Sequence, residues 1–187
     1  MLFRSVGEKF PKFGVGILDK YEPLPYNFFK TYEVSPFEIH TEIYPDKVVF
    51  LTEPRDCGGF ALREKKTVSV KDNVLTVDYV EENVGCRDFE YSEYCHNFLT
   101  LDIDGTRNSY NLLMQMGNAT YPYEWQLSLN PSGQIIHARD YFRPDHHNIW
   151  SPGFVISPEV YFVRHLAPGE TAAYKREYEF DKLKHRW

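Results

Sequence analysis

Lys66-Thr67-Val68-Ser69-Val70-Lys71-Asp72-Asn73-Val74-Leu75-Thr76-Val77-Asp78-Tyr79-Val80 holds the pattern on which the fold turns. Val68 and Val70 alternate with Thr67 and Ser69, and Leu75, Val77 and Tyr79 alternate with Thr76, Asp78 and Val80. That is the period of two a half-buried strand requires. Between the runs, Lys71-Asp72-Asn73 supplies short polar side chains that bond their own backbone and so favour a turn. The stretch predicts a β-hairpin.

Working outward, further strands are expected at residues 47–53, 94–103, 125–129, 134–140 and 159–165. Asp104-Gly105, Asn130-Pro131-Ser132-Gly133 and Pro144-Asp145 punctuate them as turn signals. A last hairpin is read where Tyr161-Phe162-Val163-Arg164-His165 turns through Ala167-Pro168-Gly169-Glu170 into residues 172–180. No window of a dozen residues shows apolar positions at helical spacing free of Gly or Pro. Many short strands without intervening helices predict an all-β fold, an antiparallel β-sandwich, over residues 1–187 as a single domain. Within it residues 1–45 read as a long ordered loop held by its aromatics, because Pro23, Pro25 and Pro36 interrupt clusters such as Tyr26-Asn27-Phe28-Phe29. Residues 181–187 read as a frayed tail.

A chain of 187 residues suffices for one domain that buries about 70% of its unfolded surface, so neither disulfide nor metal is needed to hold the core. Aromatics reach 17%, more than packing usually calls for, and exposed rings suit flat ligands such as sugar faces. The net charge of −6, without a basic cluster, would repel a phosphate backbone, so no nucleic-acid partner is expected. No stretch nears the ~20 apolar residues of a membrane span, and the first residues lack a signal peptide's apolar run. Cys57, Cys86 and Cys95 are an odd number without a C-x-x-C pair, which fits reduced thiols and a cytoplasmic location.

At Glu93-Tyr94-Cys95-His96-Asn97-Phe98-Leu99-Thr100-Leu101-Asp102 the chain resembles the histidine-bearing strand of galactose mutarotase-like (aldose 1-epimerase-like) proteins. Three segments agree in order. The opening hairpin runs on to an Asn83-Val84-Gly85 step, Ser157-Pro158-Glu159-Val160-Tyr161 is similar to the family's glutamate-bearing strand, and residues 166–180 are similar to its closing hairpin. The segment from Gly7 to Leu18 resembles an internal stretch of bacterial relatives. The resemblance covers roughly residues 7 to 180 and implies the family's sandwich. It also implies an N-terminal run of strands, with substrate-binding Arg and His positions, before the point where this chain starts. Leu2-Phe3-Arg4-Ser5 is moreover what a common sequencing-adapter oligonucleotide encodes, so a truncated or misassembled reading frame is expected.

Interconverting sugar anomers needs a base for the anomeric hydroxyl proton and an acid for the ring oxygen, two side chains on opposite edges of the sugar. Each such transfer is typically worth ~10²–10⁴-fold. The resemblance implies His96 as the acid and Glu159 as the base, with no cofactor. Histidine titrates near working pH, and glutamate is tunable by its surroundings. The bland alternatives are a strand-end histidine bonded to backbone and a solvated glutamate opening an edge strand. Around them Asn97, Asp102 and Asp104 are candidates to bond sugar hydroxyls, although Asp104-Gly105 also reads as a plain turn. In His146-His147-Asn148-Ile149-Trp150, His147 is a candidate hydroxyl donor, and Trp150, with Tyr141, a candidate stacking ring. Packing between the sheets is the competing role for Trp150.

His137, His146, His147 and Cys95 match no metal-site spacing, so no metal is expected. Cys95 and His96, as strand neighbours, point to opposite faces and make a poor nucleophile and base. The expected function is therefore an aldose 1-epimerase-like isomerase acting on a small-molecule sugar. The alternative is a non-catalytic carbohydrate-binding or structural domain, or an incomplete fragment of one. Self-association through unpaired edge strands is a further expectation.

Overall fold

The computed structural model describes residues 6–27, 29–99, 109–114, 121–130, 134–151 and 155–182. Among them every regular element is a strand. In chain order these are β1 (Lys9–Lys12), β2 (Gly16–Asp19), β3 (Val34–Pro36), β4 (Ile39–Ile43), β5 (Lys47–Thr52), β6 (Leu62–Lys71) and β7 (Val74–Asn83). There follow β8 (Phe89–Tyr94), β9 (Ser109–Met114), β10 (Tyr123–Asn130), β11 (Gln134–Asp140), β12 (His146–Trp150), β13 (Ser157–Leu166) and β14 (Thr171–Lys182). The predicted opening hairpin is β6 and β7, turned by Asp72 at φ 54°, a left-handed conformation that aspartate tolerates better than most residues. An eight-stranded sheet runs β4-β5-β6-β7-β14-β11-β10-β9, and two three-stranded sheets run β1-β2-β3 and β12-β13-β8. No described helix is long and apolar enough to cross a membrane.

The chain divides into two compact units. The first holds Met1–Thr67, Tyr79–Tyr91 and His165–Ala173. Its core is Phe60, Leu62, Phe89 and Leu166, with Phe13, Tyr91 and Ala172 against them. Each large apolar side chain so buried contributes about 1.5–3 kcal/mol. Where a long loop is expected over residues 1–45, the described part carries β1, β2, β3 and β4. Strands of three to five residues are too short to show a period in sequence. They form because aromatics fasten them, with Phe10 edge-on to Tyr26 and Tyr32 and those two rings stacked at 5.3 Å.

The second unit holds Val68–Asp78, Ser92–Arg164 and Tyr174–Trp187. Here β10, β11 and β14 are antiparallel, with Trp125 opposite Ala138 and Ala138 opposite Tyr178. That register turns one row of buried side chains toward β13, whose Val160 and Phe162 are 1% and 2% exposed. Phe142, Phe162 and Tyr174 close the layer, with Phe142 and Phe162 centroids 4.4 Å apart. Arg176 crosses it, its guanidinium over Phe142, one N–H donating to the Val160 carbonyl at 3.4 Å, and its Nε 3.7 Å from Asp140 Oδ1. The unit is thus a sandwich with the Arg176–Asp140 ion pair buried in its core.

One more expectation needs correcting. Of the strand expected at 94–103, Tyr94 is the last residue of β8, residues 95–98 are unladdered and Leu99 makes an isolated bridge to Ile156, while residues 100–103 lie outside the described residues. Residues 91–99 still alternate between half-buried and exposed, so the periodicity reports which way side chains face, not whether the backbone is laddered. The cluster at 146–150, read only for its chemistry, is itself strand β12. The ends of the chain, 1–5 and 183–187, lie outside the described residues.

Candidate functional site

β12 and β13 pair antiparallel, placing His146 opposite Tyr161, Asn148 opposite Glu159 and Trp150 opposite Ser157. The strand period gathers those six side chains on one face and leaves His147, opposite Val160, on the face turned to the core. On the other flank of β13, β8 and the segment after it bring Tyr94, His96 and Phe98 forward while Glu93, Cys95 and Asn97 point inward. The face away from the sandwich core therefore collects a carboxylate, an imidazole and a set of rings.

At its centre His96 Nε2 stands 3.3 Å from Glu159 Oε1, the histidine side chain 34% exposed and the glutamate 5%. The other carboxylate oxygen accepts from Tyr161 Oη at 2.9 Å and Asn148 Nδ2 at 3.2 Å. These donors compensate for taking a carboxylate out of water, which is costly without them. Burial, and then the bond to Glu159, push the Tyr161 hydroxyl well above its ordinary pKa, so it remains a donor. The His96 ring stacks on Phe98 at 4.4 Å and meets Trp150 edge-on at 5.4 Å, while Tyr94 and Tyr161 stack at 4.4 Å. Trp150 is 41% exposed and lies on this outer face, not between the sheets.

The other sequence-predicted residues are elsewhere. Asn97 donates to Tyr178 Oη on the core side and takes the Cys95 thiol's hydrogen bond at 3.1 Å. His147 Nδ1 is buried with no hydrogen-bond partner among the described residues. Tyr141 is on the far side of β14 from Tyr178, donating to Glu177 Oε2 at 2.7 Å beneath the Lys175 ammonium. Burial raises the Glu177 pKa, but the Lys175 and Tyr141 hydrogen bonds outweigh it and leave it lowered. Asp102 and the Asp104-Gly105 step lie outside the described residues. Sequence reading missed Tyr94, Phe98, His146, Asn148 and Tyr161 as neighbours of the pair. Counting by twos from His96 and Glu159 would have found Tyr94, Phe98 and Tyr161; the rest depend on the β12–β13 register. No group of three or more potential metal ligands occurs among the described residues.

Comparison with solved structures finds the same fold elsewhere. A protein from Escherichia coli K12 designated a candidate aldose 1-epimerase superposes with a TM-score of 0.65 at 11% identity, over 96% of this chain and 81% of its own. A galactose mutarotase-like protein from Lactobacillus casei gives 0.65 at 12% identity, over 95% and 83%. One from Clostridium acetobutylicum gives 0.61 at 11%, over 95% and 76%. No family model matches the sequence. No curated protein sequence matches it either. The chain has the all-β, antiparallel galactose mutarotase-like fold, and at these identities the likeness speaks for the fold alone.

Proposed function

We propose that the chain is an aldose 1-epimerase-like isomerase, in which His96 and Glu159 exchange protons with the anomeric centre of a sugar. The observation that carries this reading is the 3.3 Å approach of His96 Nε2 to Glu159 Oε1 on an aromatic-lined face. The pair is side by side, not on opposite edges of a sugar. That still allows the chemistry, because the ring oxygen and the anomeric hydroxyl are bonded to the same carbon, so one edge of the sugar presents both to a neighbouring acid and base. Glu159 as base accepts the hydroxyl proton while His96 as acid protonates the ring oxygen. The ring opens, the carbonyl rotates, and reclosure returns both protons. Phe98 and Trp150 offer apolar rings to a pyranose face. No residue of this scheme calls for a cofactor.

A second reading is favoured by the burial of Glu159, whose two oxygens already have three protein partners. In that reading the carboxylate braces the strand pair and the rings bind sugar without turning it over. Saturation-transfer NMR of α/β exchange across a panel of aldoses and uronic acids separates the two. The isomerase reading expects one sugar to exchange faster than in buffer, and His96→Asn and Glu159→Gln each to abolish the gain. Sugar shifts on binding, with exchange at the buffer rate, would establish the second reading.

A further inference from the structure

Among the described residues β4, Ile39-His40-Thr41-Glu42-Ile43, ends the eight-stranded sheet. All five residues are exposed, Ile43 to 79% and Ile39 to 48%. Its pairing with β5 sets Ile39, Thr41 and Ile43 opposite Thr52, Phe50 and Val48. Bonds from the Glu53 amide to the Glu38 carbonyl and from the Tyr44 amide to the Lys47 carbonyl fix the phase of the ladder. Even-numbered residues therefore turn their N–H and C=O toward β5, and Ile39, Thr41 and Ile43 turn theirs outward. An edge of this kind usually carries a proline, a lysine or a bulge that blocks pairing, and β4 has no proline or lysine.

We propose that β4 pairs antiparallel with β4 of a second copy about a two-fold axis at Thr41, joining two eight-stranded sheets edge to edge. The sequence is self-complementary in that register and in the phase the ladder leaves open. Thr41 meets its own mate, and Ile39 meets Ile43 of the second copy. All three are the residues whose backbone groups face outward, so each crossing is a hydrogen-bonded pair. His40 then meets Glu42 of the second copy twice, at the non-hydrogen-bonded sites where opposed side chains come closest. On the other face the isoleucines extend the apolar row of Val48 and Phe50 across the junction. A two-fold interface of this kind is closed, so association stops at the dimer.

Sedimentation equilibrium at rising protein concentration tests it. The wild-type mass is expected to climb from one chain, 22.1 kDa, toward twice that. Thr41→Pro removes only an outward N–H, which an edge strand tolerates, and is expected to stay monomeric with an unchanged circular dichroism spectrum. His40→Glu opposes like charges and is expected to weaken dimerisation at least tenfold, while His40→Glu with Glu42→Lys restores it. A wild type that is monomeric throughout, a Thr41→Pro protein that dimerises as well as wild type, or a double variant no better than His40→Glu would each overturn the proposal. None of these readouts depends on sugar binding.

Discussion

Glu159 is the residue whose surroundings are most specific to it, and Tyr161 is the partner that can be altered most cleanly. Tyr161→Phe keeps the ring stacked between Tyr94 and His146 and removes only the hydroxyl that donates to the carboxylate at 2.9 Å. A hydrogen bond to a charged group is worth about 1.5–3 kcal/mol. Urea denaturation is therefore expected to show a loss of that order. If the pair is catalytic, anomer exchange should fall about 10–100-fold by the same figure, with KM moving less than kcat. An unchanged exchange rate beside the stability loss would restrict Tyr161 to bracing. Of this site, His96, Glu159 and Trp150 were legible in the sequence. Asn97 and His147 lie apart because each is next to a site residue in sequence but projects from the other face, and Tyr141 because it stands just past β11, against Glu177 of β14.

Among the elements, the step from β7 toward β8 bears the heaviest demand. Asn83 is fully buried; its amide donates to the Arg87 and Leu166 carbonyls at 2.8 and 3.0 Å, and its side-chain oxygen accepts from the Gly85 amide at 3.0 Å. Asn83→Ala takes this amide from the Arg87 and Leu166 carbonyls, while the Gly85 amide keeps its second acceptor, the Ala61 carbonyl at 3.2 Å; at about 1–3 kcal/mol for a buried group left without its bond, a loss of about 2 kcal/mol or more is expected by chemical denaturation. Gly85 comes so near the backbone that an added Cβ would sit 2.4 Å from the Gly59 carbonyl oxygen and 2.8 Å from the Ala61 nitrogen. Gly85→Ala should then cost about 1–3 kcal/mol through forced backbone movement, measurable in the same experiment. Asn83-Val84-Gly85 could be picked out in the sequence as a step ending a hairpin. Its partners could not, since Leu166 is 83 residues away. Long strands with clear alternation, β6, β7, β11 and β14, were legible for the same reason that β1 to β3 were not: a period needs length to be seen.

For the stability of the whole molecule, the ion pair inside the second unit gives a pH dependence. Burial pushes the Asp140 carboxyl up to about 6, although Arg176 and the Trp125 indole N–H pull it down. Arg176 is held charged, its own burial outweighed by Asp140. A folded pKa above the unfolded 3.8 means the contribution of Asp140 is fully present below about pH 4 and is lost as pH rises through about 6. At ~1.4 kcal/mol per pH unit the change is about 3 kcal/mol. Urea titrations between about pH 4 and about pH 7 should show the stability difference between wild type and Asp140→Asn moving in favour of the variant as pH rises. A difference that does not change across this range would show that the Asp140 pKa is not raised by folding.

The sequence by itself determined that the chain is built of strands and where the longest ones run, while His96 and Glu159 were singled out only by resemblance to a family. Alternation and turn chemistry are local properties and survive in a string of letters. Only the tertiary structure decided which strands neighbour one another. It alone brought Glu159 under His96 across a sequence separation of 63, set Asn148 and Tyr161 on the carboxylate, turned Tyr141 and His147 away, and left β4 at a sheet edge. Those outcomes depend on register and strand order, which arise from contacts between residues far apart in the chain and leave no periodic trace within any one segment.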